Sequence, residues 1–108
     1  MYARLMMLTV KPGKRHEAIT HTENVLLPLL SKQKGFVDFV GLDVETSQDD
    51  LAGLFFWATK NDSEAFAASP QFKQFMEKAM PLLERIDAYS YNVGASTFHK
   101  ISKGVAVA

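Results

Sequence analysis

Apolar positions along this chain change their spacing several times, and each change predicts an element. Residues 3–10, ARLMMLTV, form a continuous apolar run rich in strand formers. The run stops at Lys11-Pro12-Gly13, where proline removes a ladder donor and glycine supports a turn. A run apolar at successive positions predicts a strand covered on both faces. Over residues 14–33 the spacing becomes helical. Ala18, Ile19, Thr22, Val25, Leu26, Leu29 and Leu30 fall on one stripe, and Lys14, Arg15, Glu17, Glu23 and Lys32 avoid it. Pro28 predicts a kink or restart in that helix, and Gly35 its stop. Residues 36–45 predict a second strand, with Val40, Leu42 and Val44 alternating with Gly41, Asp43 and Glu45. A polar turn at 46–50 leads to a third strand at 51–59, and the pair reads as a hairpin. Asn61-Asp62-Ser63-Glu64 predicts a helix start capped by Asn61, with Glu64 reaching back, and a short helical turn to Ala68. Ser69-Pro70 is a fresh cap with proline at the first helical position. Phe72, Phe75, Met76, Ala79, Leu82 and Leu83 then form the stripe of the second main helix, disturbed at Pro81. Residues 86–93 predict a fourth strand with Asp87, Tyr89, Tyr91 and Val93 on one face and Asn92 on the other.

Strand, helix, strand, strand, helix, strand is the α+β order of a ferredoxin-like βαββαβ domain, in which two helices cover one face of a four-stranded antiparallel sheet. Residues 1–93 read as that domain and residues 94–108 as a C-terminal tail that could pack on a partner subunit. The second face of the sheet needs cover, because strands one and three are apolar on both sides. Soluble monomers rarely expose such an area, so the pattern predicts an isologous homodimer packed sheet to sheet.

Composition narrows the chemistry. The 108 residues carry 12 basic and 12 acidic side chains, so nothing electrostatic favours nucleic acid. The chain has no cysteine, which excludes disulfides, thiolate catalysis and cysteine-ligated zinc or iron–sulfur sites and is compatible with a reducing cytosol. The longest apolar runs, such as Leu5–Leu8 and Leu54–Ala58, fall far below the roughly 20 residues of a membrane helix. Met1-Tyr2-Ala3-Arg4 lacks the apolar stretch of a signal peptide. The expectation is a cytoplasmic domain with neither nucleic-acid nor membrane partners. No His-Glu-x-x-His, phosphate-binding glycine loop, dinucleotide fingerprint or nucleophile elbow is present, and no metal or cofactor is expected.

Among candidate residues, histidine suits proton transfer near neutral pH. His16 and His21 lie on the first predicted helix, off the centre of its stripe, and His99 lies in the tail. Glu17 and His21 are four apart and can pair. His21 reads either as a boundary residue or as part of a pocket mouth. Trp57 reads as a core anchor or as a wall that orients an aromatic ligand. Tyr89 and Tyr91 pack, or offer a phenol to a ligand, and Asn92 is a weaker polar candidate. Asp38 and Asp43 flank the second strand and read as solvated. Met6, Met7, Met76 and Met80 give a core able to adapt to irregular shapes.

The segment WATKNDSEAFAASPQF, from Trp57 to Phe72, resembles the signature stretch of the antibiotic biosynthesis monooxygenase superfamily. Lys11-Pro12-Gly13-Lys14 after the first strand and Gly35-Phe36 opening the second resemble it too, and the likeness spans about residues 3–93. The resemblance implies a dimeric α/β barrel with one pocket per subunit between helices and sheet. In its cofactor-free members that pocket holds an aromatic substrate whose anion reduces dioxygen directly. Trp57 matches the tryptophan that ends the third strand in many members. Phe66 falls where quinone-forming members can carry tyrosine, and Gly53 stands where they use asparagine. Haem-degrading members need asparagine, tryptophan and histidine where this chain has Met6, Phe66 and Met76, and Met76 is a poor substitute for an imidazole iron ligand.

The expectation is therefore a cofactor-independent monooxygenase of a small aromatic or quinol-like compound and dioxygen. His21 assists proton removal, Trp57 orients the ring, and Tyr89 hydrogen-bonds an oxygen. Phe66, Phe72, Met76, Tyr91 and Asn92 bind the ligand. The competing expectation is a non-catalytic small-molecule-binding or structural dimer of the same fold.

Overall fold

The four predicted strands form one antiparallel sheet in the order β2-β3-β1-β4 in a computed structural model that describes residues 1–95. The strands are β1 (Tyr2–Val10), β2 (Phe36–Asp43), β3 (Asp50–Trp57) and β4 (Leu83–Asn92). Each helical connection spans a neighbouring strand, so two split βαβ units interleave and the long apolar β1 takes an inner position. Register assigns the two faces. Met6 sits opposite Gly53 and Ala88, while Leu5 sits opposite Leu54 and Tyr89. Since successive side chains alternate, Tyr2, Arg4, Met6 and Leu8 share the helix side with Gly53, Phe55 and Trp57. Ala3, Leu5 and Met7 share the other side with Leu54, Phe56, Tyr89 and Tyr91.

The first helical rod is not one kinked helix. It consists of α1 (Arg15–His21), a π-helical turn (Thr22–Leu26) and α2 (Leu27–Leu30). Pro28 has no N–H to give and its ring crowds the carbonyl four residues back, at Asn24. A widened turn just before the proline absorbs that conflict, as π-bulges do. The rod ends ahead of Gly35, whose φ of +77° is left-handed and whose missing side chain leaves room for the Asp62 carboxylate.

The second crossover carries α3 (Lys60–Ala67), α4 (Pro70–Ala79) and a 3₁₀ turn at Met80–Leu82 that takes up Pro81. The cap of α3 is Thr59, not Asn61. The Thr59 hydroxyl accepts the Asp62 amide at 3.1 Å and donates to the Asp62 carboxylate at 2.8 Å. Ser69 caps α4 as expected, accepting from the Phe72 amide at 3.2 Å. The two helical crossovers, the first rod and α3–α4, therefore cover one face of the sheet.

Leu26, Leu30, Phe55, Trp57, Phe66 and Phe75 form the core between rod, α3–α4 and sheet. Trp57 meets Phe36 edge-on at 5.7 Å and leans on Phe66 at 5.3 Å. On the opposite face no described helix lies over the sheet. Met7, Val40, Leu42, Tyr89 and Tyr91 are exposed there, and Tyr91 keeps 50% of its surface. His99 and the tail beyond residue 95 lie outside the described residues.

Candidate functional site

A cavity of about 760 Å³ opens between the first rod and α4 on one side and the sheet on the other. That volume lies within the range of about 300–1,000 Å³ usual for ligand pockets. Its floor is made where three strands meet at small residues. Gly41 of β2 pairs with Gly53 of β3, and Gly53 pairs with Met6 of β1. With no side chains at the two glycines the backbone itself is the floor. The ring of Phe39 fills the flank, and a Cβ added at Gly53 would stand 3.1 Å from it. Phe39 and Phe55 pack edge to face at 4.9 Å and form one wall. Phe72, Phe75, Met76 and Ala79 of α4 form the facing wall, and Ala18, Ile19 and Leu26 of the rod form the roof. Polar lining is confined to Thr22, Glu23 and Asn24 on the π turn and Asp43 at the end of β2.

Electrostatics differ among those groups. Asp43 is held by Arg15 at 2.9 Å, and the same guanidinium donates to the Gln48 carbonyl at 2.8 Å. Arg15 therefore ties the start of α1 to the β2–β3 hairpin beside the cavity. Glu23 has no ion-pair partner among the described residues. Elsewhere, Asp50 at the start of β3 accepts from the Thr9 hydroxyl at 2.7 Å. That bond is the main reason its carboxyl is held below its ordinary value, with the nearby Arg85 charge adding to it.

The residues singled out from sequence divide sharply by position. Phe72 and Met76 stand on the cavity wall. Phe66 and Trp57 lie behind that wall, around a small void bounded also by Arg4, Ser63 and Phe72. Trp57 is 1% exposed and sits four residues along β3 from Gly53, roughly 13 Å by strand rise. His21 reaches across to α4. Its Nε2–H donates to the Phe75 carbonyl at 3.0 Å, and its ring stacks on Phe75 at 4.5 Å and 6°. A carbonyl only accepts, so the ring carries its proton on that nitrogen. The anticipated Glu17–His21 pair does not form, because Glu17 pairs with Lys14 at 3.1 Å.

Tyr89 and Tyr91 need a correction of place. They are opposite Leu5 and Ala3, so strand alternation turns both phenols to the face away from the helices and the cavity. Asn92 is on the helix side but opposite Tyr2, at the far end of the sheet from Gly53. Reading the sequence also missed Glu23, Asn24, Phe39 and Gly41. Glu23 read only as a charge off the apolar stripe, although it follows the lining residue Ile19 by four.

An antiparallel βαββαβ sheet with helices over one face defines a member of the ferredoxin-like folds. The family described as antibiotic biosynthesis monooxygenase matches residues 1–78, and the chain belongs to that family. No curated protein matches the chain. Among solved structures it is similar to SnoaB, a cofactor-independent oxygenase from Streptomyces nogalater, with TM-score 0.79 and 14% identity over 89% of this chain and 95% of that one. It is similar to NE2512, a protein of unknown function from Nitrosomonas europaea, with TM-score 0.77 and 18% identity over 89% and 91%. It is also similar to a conserved protein from Methanosarcina mazei, with TM-score 0.75 and 19% identity over 85% and 92%. At these identities the likeness establishes the fold. No described helix is long and apolar enough to cross a membrane.

Proposed function

We propose that this protein is a cofactor-independent monooxygenase that oxidises a small aromatic or quinol-like compound with dioxygen, acting as a homodimer. The observation that carries the reading is the cavity of about 760 Å³, aromatic on two walls and open to backbone at Gly41 and Gly53, in a chain of this family. The oxygenase activity of a similarly folded protein and the absence of a dinucleotide motif in the sequence support it. In the reaction a ring carbon ortho or para to the phenol loses its hydrogen and becomes a carbonyl carbon while the phenol loses its own, one oxygen atom of O₂ enters the product and the other leaves as water with those two hydrogens. The substrate supplies all the electrons, so no external reductant is consumed.

The protein's part is shape, exclusion of water and proton handling. Phe72 and Met76 contact the ring, and Phe39 and Phe55 hold it against the glycine floor. Trp57 and Phe66 brace that wall from behind. His21, through its bond to the Phe75 carbonyl, fixes α4 against α1 and keeps the chamber's width.

The test is oxygen uptake with purified protein over a panel of hydroquinones, naphthols and anthrones. Uptake above the spontaneous rate with at least one compound, lost in Gly53→Leu, is the expected result. Binding without uptake would leave a ligand-binding module of the same fold. No binding and no uptake across the panel would overturn both readings.

A further inference from the structure

Within the ligand site proposed above, and resting on that reading, Glu23 has a role that the sequence pattern concealed. Three successive residues, Thr22, Glu23 and Asn24, line the cavity. Glu23 stands four residues after Ile19, another lining residue, and all three belong to the π turn at Thr22–Leu26, a kind of turn that recurs at functional sites. The charged side chains on the cavity are Glu23 and Asp43, with no Lys, Arg or His among the lining residues. Asp43 is paired with Arg15 at 2.9 Å, whereas Glu23, an exposed residue on the cavity's edge, has no ion-pair partner among the described residues. The rest of the lining is almost wholly apolar.

We propose that Glu23 is the specificity-determining residue of this cavity: its carboxylate accepts a hydrogen bond from a hydroxyl on a flat, otherwise apolar ligand, and it turns away ligands that carry an acid group. A hydroxyl offers the donor that a carboxylate needs, and a charge-assisted bond of this kind is stronger than a neutral one. A ligand carboxylate at the same place meets like charge with no cation to relieve it.

The experiment compares three probes of one shape, 2-naphthol, 2-methylnaphthalene and 2-naphthoate. Their affinities are measured by calorimetry at neutral pH for wild type, Glu23→Gln and Glu17→Gln. Glu17 is exposed on α1, paired with Lys14 and away from the cavity, so it controls for overall charge. Wild type should bind naphthol about tenfold more tightly than naphthoate, a difference of about 1.4 kcal/mol. Glu23→Gln should reduce that ratio to about threefold or less, chiefly by admitting naphthoate, and Glu17→Gln should leave it unchanged. If the probes bind but Glu23→Gln keeps the wild-type ratio, or Glu17→Gln shifts it equally, the role of Glu23 is refuted and the cavity reading stands. If none of the three binds, the cavity reading fails and the inference with it.

Discussion

At Gly53 the missing side chain and the placement of Phe39 are one packing choice. A Cβ there would stand 3.1 Å from the Phe39 ring and 3.5 Å from Phe55, so even alanine forces the rings to give. Gly53→Leu goes further and fills the floor with four carbons. It should lower affinity for naphthol probes at least about tenfold, because the new side chain and the displaced Phe39 ring both take up cavity volume, while the backbone pairing of the sheet persists. Far-UV circular dichroism beside a binding titration checks both halves. His21 is tested differently. His21→Leu removes the donor to the Phe75 carbonyl, 3.0 Å away, and should cost about 1 kcal/mol in urea denaturation. Asp50 gives a pH signature. Its carboxyl titrates below 3.8 when folded, so its contribution to stability is present above that value and lost as pH falls through the lowered one. Thr9→Val removes the bond chiefly responsible. The variant should melt at a lower temperature at neutral pH and lose less on further acidification below about pH 4, measured as melting temperature against pH.

Capping and periodicity decide the elements, and they were unequally legible in the sequence. A continuous apolar run ending at Lys11-Pro12-Gly13 marked β1, alternation marked β2, and the polar turn at 46–50 separated it from β3. The order βαββαβ then followed from counting. The cap of α3 was misplaced because Asn61 and Glu64 have the composition of a capping box, yet Thr59 and Asp62 have it two residues earlier and win. Thr59→Ala should therefore destabilise by about 1 kcal/mol, and Asn61→Ala by much less, in chemical denaturation. The candidate site was half legible. Phe72 and Met76 were found because α4 is a regular helix whose stripe maps directly onto a wall. Tyr89 and Tyr91 were correctly put on one face, but parity alone does not say which face the helices take; that depends on their register against Leu5 and Ala3. Glu23 was passed over because a charge beside the apolar stripe reads as solvated, although it stands four residues after Ile19, a stripe residue that lines the cavity.

For the whole molecule the unresolved balance is between the two faces of the sheet. The helix side is covered and hollow, while the other side presents Met7, Val40, Leu42, Tyr89 and Tyr91, with Leu5 and Leu54 between them. These residues come from all four strands and make a continuous apolar area, which soluble monomers seldom leave open. A second copy packed on it about a two-fold axis would cover both patches at once. A stable interface buries about 800 Å² per partner, a size that one face of a four-stranded sheet can supply. Sedimentation equilibrium should therefore give a dimer, and Met7→Lys combined with Val40→Lys should shift it to monomer, because each interface would then bury uncompensated charges. Both side chains are already exposed in the subunit, at 43% and 37%, and neither lines the cavity, so the fold itself should persist. Since the cavity lies on the opposite side of the sheet, the monomeric variant should keep naphthol affinity within about threefold of wild type. A wild-type monomer at high concentration would mean that the face is closed by other means and that the dimer proposal is wrong. Loss of naphthol binding together with dissociation would instead make the second subunit part of the ligand site.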